Sequence, residues 1–452
     1  MTFTPSQAQA EAIGKIKAWY RTPKRQRKQI FRVFGYAGSG KTTTIKTAIE
    51  EIRLHNFTGV GRDDNDDYDY GDTIHSSRSG GVLYAAFTGK AALVMSRKGT
   101  PARTIHSLIY RVSEPTKEEM DKVKKQIADL LEDARVSEDE DEALGLRAQA
   151  AALKLRLKDM HKPTFVINPE SDVRDADLIV LDEVSMVDTQ MAEDLLSFGV
   201  PILVLGDPGQ LPPIRGEGYF TQAEPDVMLT EIHRQAGESA IIRLATLARQ
   251  GDYIPFGMHD TYVAKMNKRD LNPAQMLRAG QVICGKNATR FALNNALKAA
   301  AGFPSPYPTG SGEKIICKKN MNNIGLINGM FMDLINPEDR DEVSFQAVIK
   351  DEDGEFVGPT NKDGTTKPMQ IYKGHFADHF TLDKDRNERD YHHKKYLVEC
   401  EWGYAITGHK SQGSQWENVV VYNDGLGHTP EDRSRWLYTA ITRAERGLVI
   451  IE

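Results

Sequence analysis

Short apolar runs recur along this chain, each closed by a turn of glycine or small polar residues and followed by a segment with helical spacing. Residues 31–34, 82–87, 178–181, 200–205, 282–284 and 419–422 are such runs. A strand without a polar face is covered on both sides, so the pattern predicts an α/β fold of parallel sheets with helices on either face. Residues 3–19 carry Ala10, Ile13, Ile16 and Trp19 on one helical stripe, with Thr4 or Ser6 as cap and Pro5 suited to the first turn.

Residues 112–161 change texture. Met120, Val123, Ile127 and Leu130 form one stripe, and Leu146, Ala150, Leu153, Leu157 and Met160 form another. The acidic turn Glu138 to Glu142 separates them, which predicts an antiparallel helical hairpin projecting from the first sheet domain. From 312 to 401 the period switches to short alternating strands at 314–317, 330–335, 344–349 and 370–372, punctuated by Asn328-Gly329 and Asp353-Gly354. These predict a small β-barrel inserted in a second α/β domain.

A chain of 452 residues has room for several domains. It shows no long uncharged apolar run and no N-terminal signal pattern, so no membrane contact and a cytoplasmic location, that of the host cell if viral, are expected. The cysteines Cys284, Cys317 and Cys400 form no C-x-x-C pair. That argues against a disulfide framework, a zinc ribbon or an iron–sulfur cluster. The net charge of −6 is concentrated in two clusters, Asp63, Asp64, Asp66, Asp67, Asp69 and Asp72, and Glu138 to Glu142. Without them the remainder is net basic, and a phosphate backbone is not excluded as partner. The aspartate-rich stretch within 54–80 lacks periodicity and the spacing of a calcium loop, and reads as a mobile surface loop. The run Arg21, Lys24, Arg25, Arg27 and Lys28 reads as a solvated linker or a phosphate contact.

The strongest chemical signal is Gly35-Tyr36-Ala37-Gly38-Ser39-Gly40-Lys41-Thr42, set between an apolar strand and a helix. Its glycines let the backbone turn N–H groups of Gly35, Ala37, Gly38, Ser39, Gly40, Lys41, Thr42 and Thr43 toward a polyphosphate at a helix N-terminus. Lys41 would meet the β and γ phosphates and Thr42 would ligate Mg²⁺, so ATP with Mg²⁺ is the expected ligand. Gln7 has a side-chain amide that can satisfy both edges of an adenine, or it is a solvated glutamine. Run 178–181 ends in Asp182-Glu183, an acidic pair that can hold the metal's water shell and orient an attacking water. Run 200–205 delivers Gly206-Asp207-Pro208-Gly209-Gln210, where the proline stiffens a turn that holds Gln210 at the sheet's carboxyl edge. Run 82–87 places Thr88 and Lys90 at the same kind of edge. His106 is a core histidine or a contact to a phosphate or base. Trp416 and Trp436 read as core anchors. Arg443 is solvated, or a finger if its domain faces the P-loop.

With Asp182-Glu183-Val184-Ser185-Met186, Gly206-Asp207-Pro208-Gly209-Gln210-Leu211-Pro212-Pro213 and His409-Lys410-Ser411-Gln412-Gly413-Ser414 assembled, the chain resembles superfamily 1B DNA helicases of the RecD and phage Dda type. The resemblance implies two RecA-like domains. The first comprises residues 1–111 and 162–222 with the hairpin 112–161 inserted; the second comprises 223–312 and 402–452 with the β-barrel 313–401 inserted. It implies ATP-driven 5′→3′ translocation on single-stranded DNA and unwinding of forked duplex, in replication, recombination or repair. A monomer with a replisome or single-strand-binding protein partner is expected. Carried onto matching positions, Gln7 reads adenine, Lys41 and Thr42 hold phosphate and Mg²⁺, Asp182 and Glu183 bind metal and position water, and Gln210 reports the γ phosphate. Arg234 and Arg443 would be arginine fingers, and Thr88, Lys90, His106, His409, Ser411 and Gln412 lie near the DNA. Two departures stand out: Phe87 replaces the proline usual before Thr-Gly-Lys, and a long helical hairpin, residues 112–161, stands as the candidate wedge where the family's wedge is a short β-hairpin. A translocase that displaces proteins without unwinding and a nucleotide-gated DNA-binding adaptor are the competing readings; a P-loop kinase lacks an acceptor site.

Overall fold

Helix α1 (Gln7–Arg21) starts at Ser6, whose hydroxyl accepts from the Gln9 amide while the Gln9 side chain accepts from the Ser6 amide, a reciprocal cap. The computed structural model describes residues 4–52, 54, 80–97, 99–113, 116–160, 164–212, 218–231, 239–321, 324–376 and 396–452. Arg234 and nearly all of the expected loop 54–80 lie outside the described residues. The chain divides into two compact units, residues 1–105 with 175–452, and residues 106–174.

The first unit contains a six-stranded, wholly parallel sheet in the order β3 (Ala102–Thr104), β2 (Val82–Ala86), β6 (Leu178–Asp182), β7 (Ile202–Gly206), β1 (Ile30–Gly35) and β8 (Val227–Leu229). Strands β2 and β7 are buried at every position, as uninterrupted apolar runs require in a sheet covered on both faces. Ala12, Ile13, Ile16 and Trp19 of α1 and Ile45, Ala48 and Ile49 of α2 (Lys41–Ile52) pack on one face. Helix α3 (Gly89–Arg97) follows β2 and α7 (Thr189–Leu196) follows the end of β6, while the short α4 (Ile105–Ile109) after β3 opens the second unit.

A second six-stranded sheet runs β18 (Ala405–Thr407), β11 (Gln281–Cys284), β19 (Trp416–Tyr422), β20 (Ala444–Ile451), β10 (Val263–Met266) and β9 (Gly257–Asp260), parallel except for β9. Helices α8 (Ala240–Gln250) and α12 (Pro430–Ile441) share a core with it built around Trp436, which is fully buried. Helices α9 (Pro273–Ala279) and α10 (Asn287–Ala300) contribute to a second core. Strand β10 has no clear signature in the sequence. Its interruption, Lys265, is buried and satisfied by the Ile254 carbonyl at 3.0 Å and by Glu452.

A third, antiparallel sheet runs β15 (Phe356–Val357), β14 (Ser344–Asp351), β13 (Phe331–Asp339), β12 (Lys314–Cys317) and β17 (Cys400–Trp402), with β16 (Met369–Tyr372) also on β14. A bridge between Ile371 and Val398 brings β16 to the segment leading into β17. The register sets Cys317 directly opposite Cys400, a pairing no local spacing announces.

In the second unit, α5 (Lys117–Val136) and α6 (Glu140–Met160) form a hairpin around Val123, Ile127, Ala134, Ala143 and Ala150, where small residues let the backbones approach. Thr116 and Glu119 cap α5 reciprocally. The hairpin springs from a two-stranded antiparallel ribbon, β4 (Tyr110–Ser113) with β5 (Thr164–Ile167). Sequence periodicity missed this ribbon because both strands have four residues and expose apolar side chains, Val112 at 56% and Phe165 at 59%.

Candidate active site

The loop after β1 owes its shape to three glycines. Gly38 and Gly40 have φ of +80° and +75°, and a Cβ on Gly35 would lie 2.5 Å from Ser39 Oγ and 2.9 Å from the Leu229 carbonyl oxygen. Lys41 opens α2 and folds over the loop, donating to the Gly35 carbonyl at 2.6 Å and the Tyr36 carbonyl at 3.2 Å. Thr42 and Thr43 are exposed in the first turn of α2. Ser39 is buried, and its hydroxyl has no hydrogen-bond partner among the described residues.

Gln7 is exposed on α1. Gln9, two residues on, is buried and donates to the Ser39 carbonyl at 3.2 Å while it caps its own helix. One amide thus anchors the P-loop to α1, a role absent from the sequence reading. The Ser-x-x-Gln spacing of a capping box was its only local sign.

Strand β6 ends at Asp182, whose Oδ1 accepts from the Glu183 amide at 2.8 Å. Glu183 is in the left-handed region at φ 53°, ψ 47°, and Asn336 is the other non-glycine residue at positive φ among those described. Such backbone strain persists where surrounding structure imposes it, and here it turns the carboxylate sharply out of the strand. Burial pushes the Glu183 carboxyl pKa up, with Arg443 opposing and Asp182 reinforcing the rise.

Arg443, 4% exposed, follows α12 and approaches Glu183 Oε1 to 3.8 Å through Nη1. Its guanidinium is aimed by donation to the carbonyls of Thr439 at 3.0 Å and Ser414 at 3.3 Å and to the Thr442 hydroxyl at 3.1 Å. Gln210 completes the constellation. In the amide orientation selected by its neighbours it donates to Glu183 Oε2 at 3.0 Å and accepts from Arg443 Nη2 at 3.3 Å. The turn carrying Gln210 is held by Asp207, which accepts from the Gly209 amide at 3.0 Å, and by Thr439, whose hydroxyl accepts from the Leu211 amide at 2.9 Å. Elements of both parallel sheets therefore meet at one seam. A cavity of about 320 Å³ beside it is walled by Tyr36, Ala37, Thr230, Arg249 and Tyr438 among others, with the Arg249 guanidinium 3.7 Å above the Tyr36 ring.

Among the described residues no cluster of three or more His, Cys, Asp or Glu could hold a metal by itself. The donor set of one exposed hydroxyl, Thr42, and one carboxylate, Asp182, fits Mg²⁺, which keeps water and phosphate oxygens for its remaining positions.

The six residues expected near DNA divide. Gly413 (φ +75°) packs on Thr88 and Ala91, where a Cβ would lie 2.6 Å from Ala91 Cβ and 3.1 Å from Thr88 Oγ1, so β2's edge and α11 (Gly408–Ser411) are brought together. Lys90 is buried there and paired with Glu352 at the end of β14, and Arg97 pairs with Asp353. Burial pushes the Lys90 pKa down to about 8. Ser411 is fully buried and donates to the Gly408 carbonyl at 2.7 Å; Gln412 donates to the Leu211 carbonyl at 3.0 Å. Burial lowers the His409 pKa. His106 belongs to the second unit, where its ring centroid lies 5.2 Å from Tyr110 and 5.6 Å from Phe165. Phe87 is half-buried. Of the basic run before β1, Lys28 pairs with Asp226 and Arg27 lies 4.7 Å over the Tyr20 ring.

Residues 17–263 match the model of the AAA domain family, and residues 403–451 match that of the UvrD-like helicase C-terminal domain. The ATP-dependent RecD2 DNA helicase of Deinococcus radiodurans is 26% identical over 283 residues, which are 59% of this chain and 35% of that protein. The chain thus spans about a third of this curated relative. Similar solved structures include a Pif1 helicase from Candida albicans, with TM-score 0.47, 16% identity and coverage of 100% of this chain and 95% of that one. A Bacteroides Pif1 in complex with ADP-AlF3 and single-stranded DNA has TM-score 0.47, 15% identity and coverage of 99% and 92%.

Proposed function

The chain belongs to the AAA domain family, and from that premise we propose that it is an ATP-driven motor that moves 5′→3′ along single-stranded DNA and opens forked duplex. The two parallel sheets are read as two RecA-like domains, with the hairpin inserted in the first and the antiparallel sheet in the second. Lys41 and the loop amides hold the triphosphate. Thr42 and Asp182 hold Mg²⁺, which when bound offsets charge between the terminal phosphates. Glu183 takes the proton of the attacking water, Gln210 keeps that water and Glu183 in register, and Arg443 meets charge developing on the γ phosphate. Arg234 is proposed as a second finger, Gln7 as the adenine contact, and Thr88, Lys90, His106, His409, Ser411 and Gln412 as the DNA track.

The observation that carries this reading is the Glu183, Gln210 and Arg443 constellation, in which a guanidinium from the far end of the chain sits against the carboxylate that follows β6. Binding of a triphosphate between the sheets ties Arg443 to the first sheet, hydrolysis releases it, and alternating grip by the two domains advances the strand. The strand-separating element is assigned to the β4–β5 ribbon, because Phe165 offers an exposed ring for a base to stack on. Similarity to the RecD2 helicase supports the substrate class.

The test is unwinding of duplexes tailed only at the 5′ or only at the 3′ end, beside ATP hydrolysis with and without single-stranded DNA. Hydrolysis stimulated by DNA and opening only of the 5′-tailed substrate are expected. Protein displacement without strand opening would replace the helicase reading by the translocase one, and absence of stimulation would remove both.

A further inference from the structure

The amide of Ala37, inside the P-loop, donates to the phenol oxygen of Tyr438 at 2.8 Å, and that phenol donates to Asp207 Oδ2 at 2.6 Å. Tyr438 sits on α12 of the second sheet domain, whereas both partners belong to the first. The residue is 2% exposed, and its ring packs so closely on the Gln210 turn that a Cβ on Gly209 would lie 2.9 Å away. Burial and the Asp207 carboxylate push the phenol pKa far above its ordinary value, so the hydroxyl keeps its proton as donor to Asp207. Asp207 in turn fixes the turn that presents Gln210 to Glu183. Tyr438 thus links an amide of the phosphate-binding loop, through Asp207 and the Gln210 turn, to the carboxylate that would direct water at the outermost phosphate. A neutral oxygen that accepts from such an amide occupies the place of a phosphate oxygen.

We propose that the Tyr438 hydroxyl is a positioning group that reads the outermost phosphate of the nucleotide. While it holds the Ala37 amide, the hydroxyl stands in for a phosphate oxygen. The arriving triphosphate takes that amide, the phenol is displaced, and the displacement passes through Asp207 to the Gln210 turn and along α12 to Arg443. This rests on the reading of the loop as a triphosphate site. It gives the seam a reason to be latched, since one hydroxyl bridges two elements that must separate and re-form around the ligand.

Removal of the hydroxyl by Tyr438→Phe, in the full chain without DNA, tests the idea through the affinities of ATPγS and ADP by calorimetry. Because one competing hydrogen bond is removed, ATPγS is expected to bind about five- to tenfold more tightly, while ADP, which lacks the outermost phosphate, changes less than about twofold. With single-stranded DNA, KM for ATP and kcat should fall together, since binding no longer works against the latch and the signal to Gln210 is lost. An unchanged or weaker ATPγS affinity, or an equal change for ADP, overturns the proposal. Should loss of the hydroxyl strand the buried carboxylate and unfold the protein, Tyr438→Phe with Asp207→Asn makes the same comparison. If the unsubstituted protein binds neither nucleotide, the P-loop reading fails and this falls with it; if it binds both and the variant leaves their ratio unmoved, only the role of Tyr438 fails.

Discussion

Replacement of Arg443 by alanine separates the energetic consequences of the seam. The side chain is almost fully buried and donates to the Thr439 carbonyl, the Ser414 carbonyl and the Thr442 hydroxyl. At about 1 kcal/mol each, their loss costs roughly 3 kcal/mol, against a typical domain stability of about 5–15 kcal/mol, so the variant stays folded. The chemical loss is larger. A guanidinium at a transferring phosphoryl group is worth about 10³–10⁵ in rate. There is also a charge effect on the base. At the 3.8 Å separation from Glu183, opposite unit charges attract by about 4 kcal/mol at an effective dielectric of about 20. The Glu183 side chain is 26% exposed, and solvent screening leaves about half of that. The sign follows directly: the cation favours the ionised carboxylate and burial already opposes it, so loss of Arg443 raises the carboxyl pKa further. In Arg443→Ala the acidic limb of the kcat profile therefore moves to higher pH, and kcat falls at least about a thousandfold. ATPγS affinity stays within about fivefold. Arg443→Lys keeps the charge and loses the fork, so its pH profile stays near that of the parent while kcat still drops. The assay is DNA-stimulated ATP hydrolysis from about pH 5.5 to about pH 9. Turnover of Arg443→Ala within about tenfold of the parent, or an acidic limb that does not move, would refute the assignment of Arg443 to the γ phosphate.

Gln9→Ala removes the buried link to the Ser39 carbonyl and half of the α1 cap; thermal unfolding should show a loss of about 1–3 kcal/mol, and KM for ATP should rise more than kcat falls. Phe165→Ala on the ribbon should leave DNA-stimulated hydrolysis within about twofold while unwinding of a fork falls by about tenfold, as expected if stacking worth about 1–3 kcal/mol is lost; equal loss of both activities would remove the ribbon from the strand-separating role. Glu352→Gln frees Lys90 from its ion pair and should tighten single-stranded DNA binding several-fold at low salt, with the gain fading as salt rises; fluorescence anisotropy that shows no gain would take Lys90 off the DNA track.

The parts of this molecule legible in the chain are those whose physics is local. The P-loop needs three glycines and a lysine within eight positions, and its turn can be foreseen because the positive φ values fall on glycine. The two helical stripes of the hairpin and the uninterrupted strands of the parallel sheets follow from period alone, since burial of one stripe or of both strand faces is a property of residues a few positions apart. The acidic pair after β6 was visible for the same reason, though not the left-handed backbone of Glu183 that aims it.

What the residues could not disclose singly was decided by the seam. Ala37 and Tyr438 stand 401 positions apart, and Tyr438 lies in an apolar helical run where a phenol reads as core until the P-loop is set against it. The hold of Gln9 on the loop emerged only once α1 was laid beside it, and the pairing of Lys90 with Glu352 needed the third sheet in place. Period and turn chemistry act over a single element, so sequence determined the hairpin helices, the uninterrupted strands and the loop, though not β10 or the β4–β5 ribbon. Hydrogen bonds to a buried amide or carboxylate are specific to the three-dimensional neighbour that supplies them, and only the packing of the sheets chose those neighbours.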